Sequence, residues 1–244
     1  DQRGPGAGVG LGGGGTRLLA FLSGGIDSPV ACYQILRRGC PLSFLTFHSA
    51  PYTPPETVTK VARLVEVLNR YQPRGRLLAV NILEAQKVIR DTCREAYRTL
   101  LYRRLMMRVG ELVARAENAH ALVTGENLGQ VASQTVENMS VIGNATSLMV
   151  ARPLIGHDKV DVVAIAEAIG TLAISNEPVP DSCTVFAPSR PATTATPEQV
   201  RREEAALDID ELVRICVENT AAVDPATGEE HPTPELQETF ERLS

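Results

Sequence analysis

Six consecutive residues, Ser23-Gly24-Gly25-Ile26-Asp27-Ser28, carry the densest chemistry in this sequence. The run Leu18 to Leu22 before them is short and apolar, suited to a buried strand, and the apolar-periodic stretch after Pro29 reads as a helix. Strand, glycine turn and helix N-terminus together make a phosphate cradle. Gly24 and Gly25 let backbone N–H groups approach an anion, and the first helical turn adds unpaired donors and a favourable dipole. Ser28 is expected to cap the helix, and Pro29 to sit in its first turn, where a missing N–H costs nothing. The turn lacks the Lys-Ser/Thr ending of a Walker A loop, which disfavours a GTPase- or kinase-type site. A carboxylate at a phosphate turn needs a cation between itself and the anion, so Asp27 is read as a holder of Mg²⁺. A plain helix cap is the alternative.

Cys183 is a candidate of another kind. It lies in a loop flanked by prolines, Pro178 to Pro188, and not on a periodic apolar face. An accessible thiolate nucleophile is expected there, with a buried inert thiol as the alternative. The other cysteines, Cys32, Cys40, Cys93 and Cys216, fall within expected helices or beside a strand and read as structural. The five form no CxxC pair and no zinc spacing. Arg90, Arg94 and Arg98 recur every four residues, which on one helix makes a positive stripe. With Arg103, Arg104 and Arg108 this stripe could track an RNA backbone; a solvated charged face is the equal alternative.

These residues need a scaffold, and the hydrophobic pattern supplies one. Strands are expected at Leu18 to Leu22, Pro41 to Phe47, Arg76 to Val80, Ala121 to Val123 and Leu148 to Val150. Helices are expected at Val30 to Arg38, Glu56 to Tyr71, Ile82 to Glu95, Thr99 to Ala116 and Lys159 to Ile169, the last stopped by Gly170. Alternating strands and helices give an α/β fold: a mostly parallel sheet with helices on both faces. Ligands in such folds sit at the carboxyl ends of the strands. Those ends carry Ser23-Gly24-Gly25, Phe47-His48 and Gly125-Glu126, which implies one site. Residues 1–16 are glycine-dominated and read as a linker or arm, and residues 17–187 as the nucleotide domain. Residues 188–244 read as a Pro-rich segment and C-terminal helical extension, with one charged amphipathic helix over Glu198 to Glu218, a loop over Ala221 to His231, and a last dozen residues either helical or frayed.

The chain has 244 residues and a formal net charge of −5. That balance argues against a surface that grips nucleic acid all round, but leaves room for a local basic face. No run approaches transmembrane length and no signal peptide is visible, so a cytoplasmic chain with mostly free thiols and no membrane partner is expected.

Taken in order, SGGIDSPVA, FHSAPYT, YRRLMMR, TGENLGQVASQT, RPLIGHDK and EPVPDSCTVFAP resemble the PP-loop domain of the tRNA 4-thiouridine synthetases, or tRNA sulfurtransferases. The resemblance covers Gly4 to Asn219 and implies an adenine nucleotide alpha hydrolase-like fold. It also implies an activity: ATP-dependent adenylation of the carbonyl oxygen of tRNA uridine 8, then displacement of AMP by persulfide sulfur. It implies ATP and Mg²⁺, a tRNA partner, and a persulfide donor such as a cysteine desulfurase. It carries ATP binding onto Leu22, Ser23, Phe47, His48, Arg103, Gly125 and Gln134, beside the turn residues Gly24, Gly25 and Ser28. Phe47 and His48 could flank an adenine ring, the Gln134 amide could read a purine edge, and Arg103 could clamp a phosphate, with Arg104 nearly as good a candidate. Lys159 resembles a family lysine needed for modification, and a cation there would stabilise charge at the α-phosphate; a solvated helix lysine is the alternative. Cys183 matches the sulfur-handling cysteine, with Ser182 where a second cysteine often stands. Family members hold tRNA with a ferredoxin-like and THUMP region, and some add a rhodanese domain. Neither is recognisable here, so weak tRNA binding by this chain alone is expected, with a separate THUMP-containing chain as one way to restore it. The alternatives are a PP-loop synthetase acting on another acceptor, and a non-catalytic nucleotide-binding module.

Overall fold

The computed structural model describes residues 15–180, 182 and 185–243. The glycine-dominated arm up to residue 14 and Cys183 therefore lie outside the described residues.

Seven strands form one sheet: β1 (Arg17–Phe21), β2 (Leu42–His48), β3 (Leu77–Asn81), β4 (Ala119–Val123), β5 (Met149–Ala151), β6 (Thr220–Val223) and β7 (Glu230–Pro232). Their order is β5-β4-β1-β2-β3-β6-β7. The first five run parallel, and β6 and β7 close one edge antiparallel. The chain steps outward from β1 to β3, then jumps back past β1 to β4. The strand order thus reverses between β1 and β4, the kind of switch point at which open α/β sheets bind ligands.

Side-chain alternation divides the sheet into two cores. Leu18 and Ala20 of β1, Leu42 and Phe44 of β2 and Ala121 and Val123 of β4 pack with α1 (Asp27–Leu36), α2 (Glu56–Leu68) and α6 (Lys159–Ile169). Leu19, Leu45, Phe47, Leu78 and Leu122 point the other way, into α3 (Leu83–Thr92), α4 (Arg98–Ala116), α5 (Val136–Gly143), α8 (Pro197–Glu204) and α9 (Ile209–Glu218). Near-continuous apolar strands follow from burial on both faces. The expected parallel sheet with helices on both faces is what forms. Gly170 ends α6 in the left-handed conformation at φ 81°, which a side chain would strain.

The structure differs from expectation in four places. The helix expected over Glu198 to Glu218 is two. Thr196 caps α8 through a capping box, and Asp208 caps α9 by accepting from Glu211 N at 3.0 Å, so the chain restarts where one run was expected. The loop expected over Ala221 to His231 contains β6 and β7. The alanines in β6 have little strand propensity, but pairing with β3 overrides it. Around the turn between them, Gly228 N donates to Asp224 O at 2.7 Å. The helix α5 lies in a stretch with no expected element, capped by Thr135. Finally, Ser28 does not cap α1, which begins at Asp27 without a side-chain cap. Its hydroxyl turns back into the glycine turn instead. The last residues form α10 (Pro234–Leu243), packed against α4 and α9.

Candidate functional site

A cavity of about 410 Å³ opens at the switch point, within the range that holds a small-molecule ligand. The first wall is the turn after β1. Ser28 Oγ accepts from Ser23 N at 3.0 Å and donates to Ser23 O at 3.1 Å, so one hydroxyl locks the loop that carries Gly24 and Gly25. Leu22, Ser23, Gly24, Gly25, Asp27 and Ser28 all line the cavity. Pro29 falls in the first turn of α1, where helical N–H groups lack partners in any case.

The second wall follows β4. A Cβ added to Gly125 would lie 2.7 Å from both Ser28 Cα and Ser28 N. Gly125 is therefore needed for the turn after β4 to lie against the first turn of α1, quite apart from any ligand. Next to it, Glu126 is fully buried. It accepts from Arg152 Nε at 2.6 Å and Thr124 Oγ1 at 3.0 Å, and Arg103 Nη2 stands 3.4 Å from its other oxygen. Arg103, reaching in from α4, donates to Ser133 Oγ at 2.9 Å, beside Gln134. The Gln134 side-chain oxygen is buried on the cavity wall with no hydrogen-bond partner in the protein. A buried acceptor without a donor costs free energy unless a ligand supplies one, so this wall suits a ligand bearing N–H or O–H groups.

The third wall is Ser175, at the end of α7 (Leu172–Ser175), with Glu177 to Pro180 and Ser182. Helices α2 and α3 hold it by its carbonyls. Lys60 Nζ donates to Ser175 O at 2.9 Å and Glu177 O at 2.8 Å, Thr57 Oγ1 to Pro180 O at 3.1 Å, and Gln86 Nε2 to Ser182 O at 3.1 Å. Ser175 Oγ donates in turn to Gly25 O at 3.2 Å, tying this wall to the glycine turn.

Lys159 is not itself a lining residue, but its Nζ donates to Oδ1 of the lining Asp27 at 2.7 Å, joining two candidates 132 residues apart in sequence. Lys159 is at the start of α6, held by a turn in which Asn127 Nδ2 donates to His157 O at 2.6 Å. Phe47 lines the cavity and packs edge-on against Phe21, with ring centroids 5.4 Å apart. His48 is not among the lining residues; Thr46 and Leu45 are. Burial lowers the His48 pKa, with Glu230 pulling the other way, and its Nδ1 accepts from Ala50 N at 3.4 Å.

The arginine stripe does not survive folding. α3 ends at Thr92, so Arg90, Arg94 and Arg98 do not share a helix. Arg90 binds Asp91 through both carboxylate oxygens, Arg94 binds Glu203, and Arg104 and Arg108 grip Glu204 from both sides. Arg104, nearly fully buried, is thus a structural partner of α8, and Arg103 is the arginine at the cavity. The four described cysteines are free thiols. Burial pushes Cys93 up to about 11 and Cys216 up to about 12, and raises Cys32 further still, so these three are poor nucleophiles.

Lys60 drew no role from the sequence, and Ser175 and Pro178–Pro180 none as a cavity wall, although Pro178 opens the proline-flanked loop named for Cys183. Lys60 had a visible signal. With Thr57, Val61 and Leu64 it falls on the helical spacing of the buried face of α2, where a lysine is out of place unless bonded. Glu126 had only its place at a strand end. Among the described residues, no group of three or more His, Cys, Asp or Glu gathers to hold a metal, and no helix is long and apolar enough to cross a membrane.

The chain is 40% identical to a 4-thiouridine synthetase solved as an RNA complex with bound ATP, with a TM-score of 0.80 over 86% of this chain and 55% of that one. It is 45% identical over 203 residues to a probable tRNA sulfurtransferase of Finegoldia magna, and 47% over 201 residues to one of Thermus thermophilus. These stretches cover 83% and 82% of this chain, and 52% and 50% of the relatives. The chain thus spans about half the length of the curated relatives it matches. A likeness to an NMN synthetase of Francisella tularensis, TM-score 0.52 at 16% identity, extends to the fold alone. The family model described as Thiamine biosynthesis protein (ThiI) matches residues 13–209, which include the glycine turn, all three cavity walls and the Asp27–Lys159 pair, and the chain belongs to that family.

Proposed function

We propose that this domain is the catalytic part of an ATP-dependent tRNA sulfurtransferase acting in the cytoplasm. On this reading it adenylates the carbonyl oxygen of uridine 8 and replaces that oxygen with persulfide sulfur, giving 4-thiouridine. The observation that carries the reading is the glycine turn, whose Asp27 pairs with Lys159, lining a cavity whose wall also carries an unpartnered Gln134 oxygen. Gln134 would accept from the adenine amino group, and Phe47 would give the base an apolar wall. Backbone N–H groups at Gly24 and Gly25 and the start of α1 would take phosphate oxygens. In the first step the uracil oxygen bonds the α-phosphorus as its bond to the pyrophosphate oxygen breaks. Lys159, already 2.7 Å from Asp27, would neutralise charge on the α-phosphate oxygens as that bond changes hands. Asp27 would hold the Mg²⁺ that accompanies the nucleotide, which would offset phosphate charge as pyrophosphate departs. In the second step the terminal persulfide sulfur bonds the activated ring carbon and AMP leaves with the former uracil oxygen. A second thiol, from the donor protein or an added dithiol, then bonds the carrier sulfur as the S–S bond breaks, which releases 4-thiouridine and leaves the two thiols oxidised as a disulfide. Cys183 would bring the transferred sulfur from a persulfide donor such as a cysteine desulfurase.

The test is to supply this chain with tRNA, ATP and a protein persulfide donor, without inorganic sulfide, and measure pyrophosphate and 4-thiouridine separately. Asp27→Ala is expected to abolish both. Cys183→Ser is expected to leave pyrophosphate release intact and to lose thiouridine, because a hydroxyl cannot carry persulfide sulfur. Binding to tRNA by this chain alone is expected to be weak and steeply salt-dependent, and tightened by a THUMP-containing chain. Wild-type pyrophosphate release by Asp27→Ala, or normal thiouridine from Cys183→Ser, would remove that residue from the mechanism. A wild-type protein that forms neither product even with the THUMP-containing chain would overturn the reading.

A further inference from the structure

We propose that Glu126 is a positioning residue that sets Arg103 over the cavity for an anionic ligand; the inference rests on the nucleotide reading above and extends it. A fully buried carboxylate is costly unless both its oxygens are satisfied. Here they are treated unequally. One oxygen takes Arg152 Nε at 2.6 Å and Thr124 Oγ1 at 3.0 Å. The other faces the cavity wall and makes no hydrogen bond; its neighbour is Arg103 Nη2 at 3.4 Å, close enough for an ion pair but too poorly aligned for a bond.

That inequality has a consequence for Arg103. Arg152 has already neutralised Glu126 from behind, so two guanidinium groups share one carboxylate and this wall retains positive charge. Glu126 therefore steers Arg103 without quenching it. Ser133 Oγ, accepting from Arg103 Nη1 at 2.9 Å, fixes the guanidinium from a second direction and ties it to the turn that presents Gln134. A guanidinium held at two points keeps donors for a phosphate and loses little entropy on binding one. The competing explanation is that Glu126 is glue between the ends of β4 and β5, with Arg103 nearby by chance. The two differ in one respect: glue stabilises the fold but has no reason to act through Arg103.

The test is a double-mutant cycle on ATP affinity, measured by titration calorimetry on the whole chain. Glu126→Gln is expected to raise the ATP Kd by about tenfold, the scale of one charge-assisted contact, and Arg103→Met by about as much. The double variant is expected to bind no worse than about twofold beyond the weaker single variant, because the second change removes an interaction already lost. Should Glu126→Gln fail to fold, Glu126→Asp serves in its place. It keeps the negative charge but draws the carboxylate back by one methylene, and the same non-additivity with Arg103→Met is expected. Wild-type affinity in both Glu126 variants overturns the inference and leaves the nucleotide reading standing. So does a Glu126 effect that persists undiminished in the Arg103→Met background. If the wild-type protein does not bind ATP, the nucleotide reading fails and this inference with it.

Discussion

Replacing Gly125 by alanine adds one methyl group where two backbone segments already touch. The new Cβ would lie 2.7 Å from Ser28 Cα and Ser28 N and 3.0 Å from Asp27 C. Comfortable separation between carbons is about 3.5–4.0 Å, so roughly 1 Å must be opened. None of these atoms is the end of a side chain that could rotate aside; they form the first turn of α1. Overpacking of this kind costs about 1–3 kcal/mol. In a chain of this size each kcal/mol shifts Tm by about 2–4 °C, so a loss of about 2–12 °C is expected. The relaxation has a direction, because pushing Ser28 away from β4 pulls on Ser23 through the hydroxyl that locks the glycine turn. Binding ATP would then have to restore the turn against the same strain, a loss of about 5- to 150-fold in affinity. Gly156→Ala is the control, since an added Cβ there meets nothing within 4 Å. Thermal melting and ATP titration on both variants decide the matter. A Gly125→Ala protein that melts with Gly156→Ala and binds ATP like wild type would refute the argument that the two turns touch at this point.

Two further expectations concern protons. Glu111 is partly buried, which by itself would raise its pKa, but hydrogen bonds from Ser147, Arg115 and Thr146 outweigh burial and bring it down from 4.5 to about 2. A depressed carboxylate stabilises the fold above its unfolded value, so the stability lost in Glu111→Gln should be full above pH 4.5, and the gap to wild type should close as pH falls toward 2, read from urea midpoints. His48 runs the other way in chemistry but not in sign: burial keeps it neutral, and its pKa falls below 6.5. The unfolded chain therefore binds the proton first, stability should fall as pH drops below 6.5, and His48→Gln should flatten that slope in the same assay.

What could be read from the sequence was what local chemistry determines. The glycine turn, the apolar strands and the left-handed stop at Gly170 each follow from residues adjacent in the chain, and the structure keeps all three. The pairing of Asp27 with Lys159 was not legible as a contact, although both residues were candidates, because 132 residues separate them and only the return of α6 to the switch point brings them together. Ser28 was misread as a cap because the serine-before-proline signal looks the same whether its hydroxyl faces the helix or the loop. The strand β6 was missed because Thr220–Val223 carries two alanines, and its identity as a strand comes from the open edge of β3. Lys60 stood in plain sight on an apolar helix face, and the carbonyls that accept its ammonium protons lie 115 and 117 residues later.

The arginines make the same point for charge. Counted along the chain, Arg90, Arg94, Arg98, Arg103, Arg104 and Arg108 look like a surface built for a polyanion. In the fold, two glutamates on α8 take three of them, Glu203 binding Arg94 and Glu204 binding Arg104 and Arg108. Arg104 and Glu204 are nearly buried as a pair, an arrangement whose desolvation cost is offset only when the geometry is fixed on both sides. Such a cation gives little to an RNA backbone, because releasing it would strand a carboxylate away from water. Affinity for a nucleic acid depends on cations whose present partners are water and mobile counter-ions. The arginine run is consequently better understood as the socket into which α8 docks. That docking covers α4 on the face opposite to α1, α2 and α6, and α4 is the helix that holds Arg103 at the cavity. The charge that looked like a binding surface thus serves the site indirectly, by fixing the helix that presents Arg103.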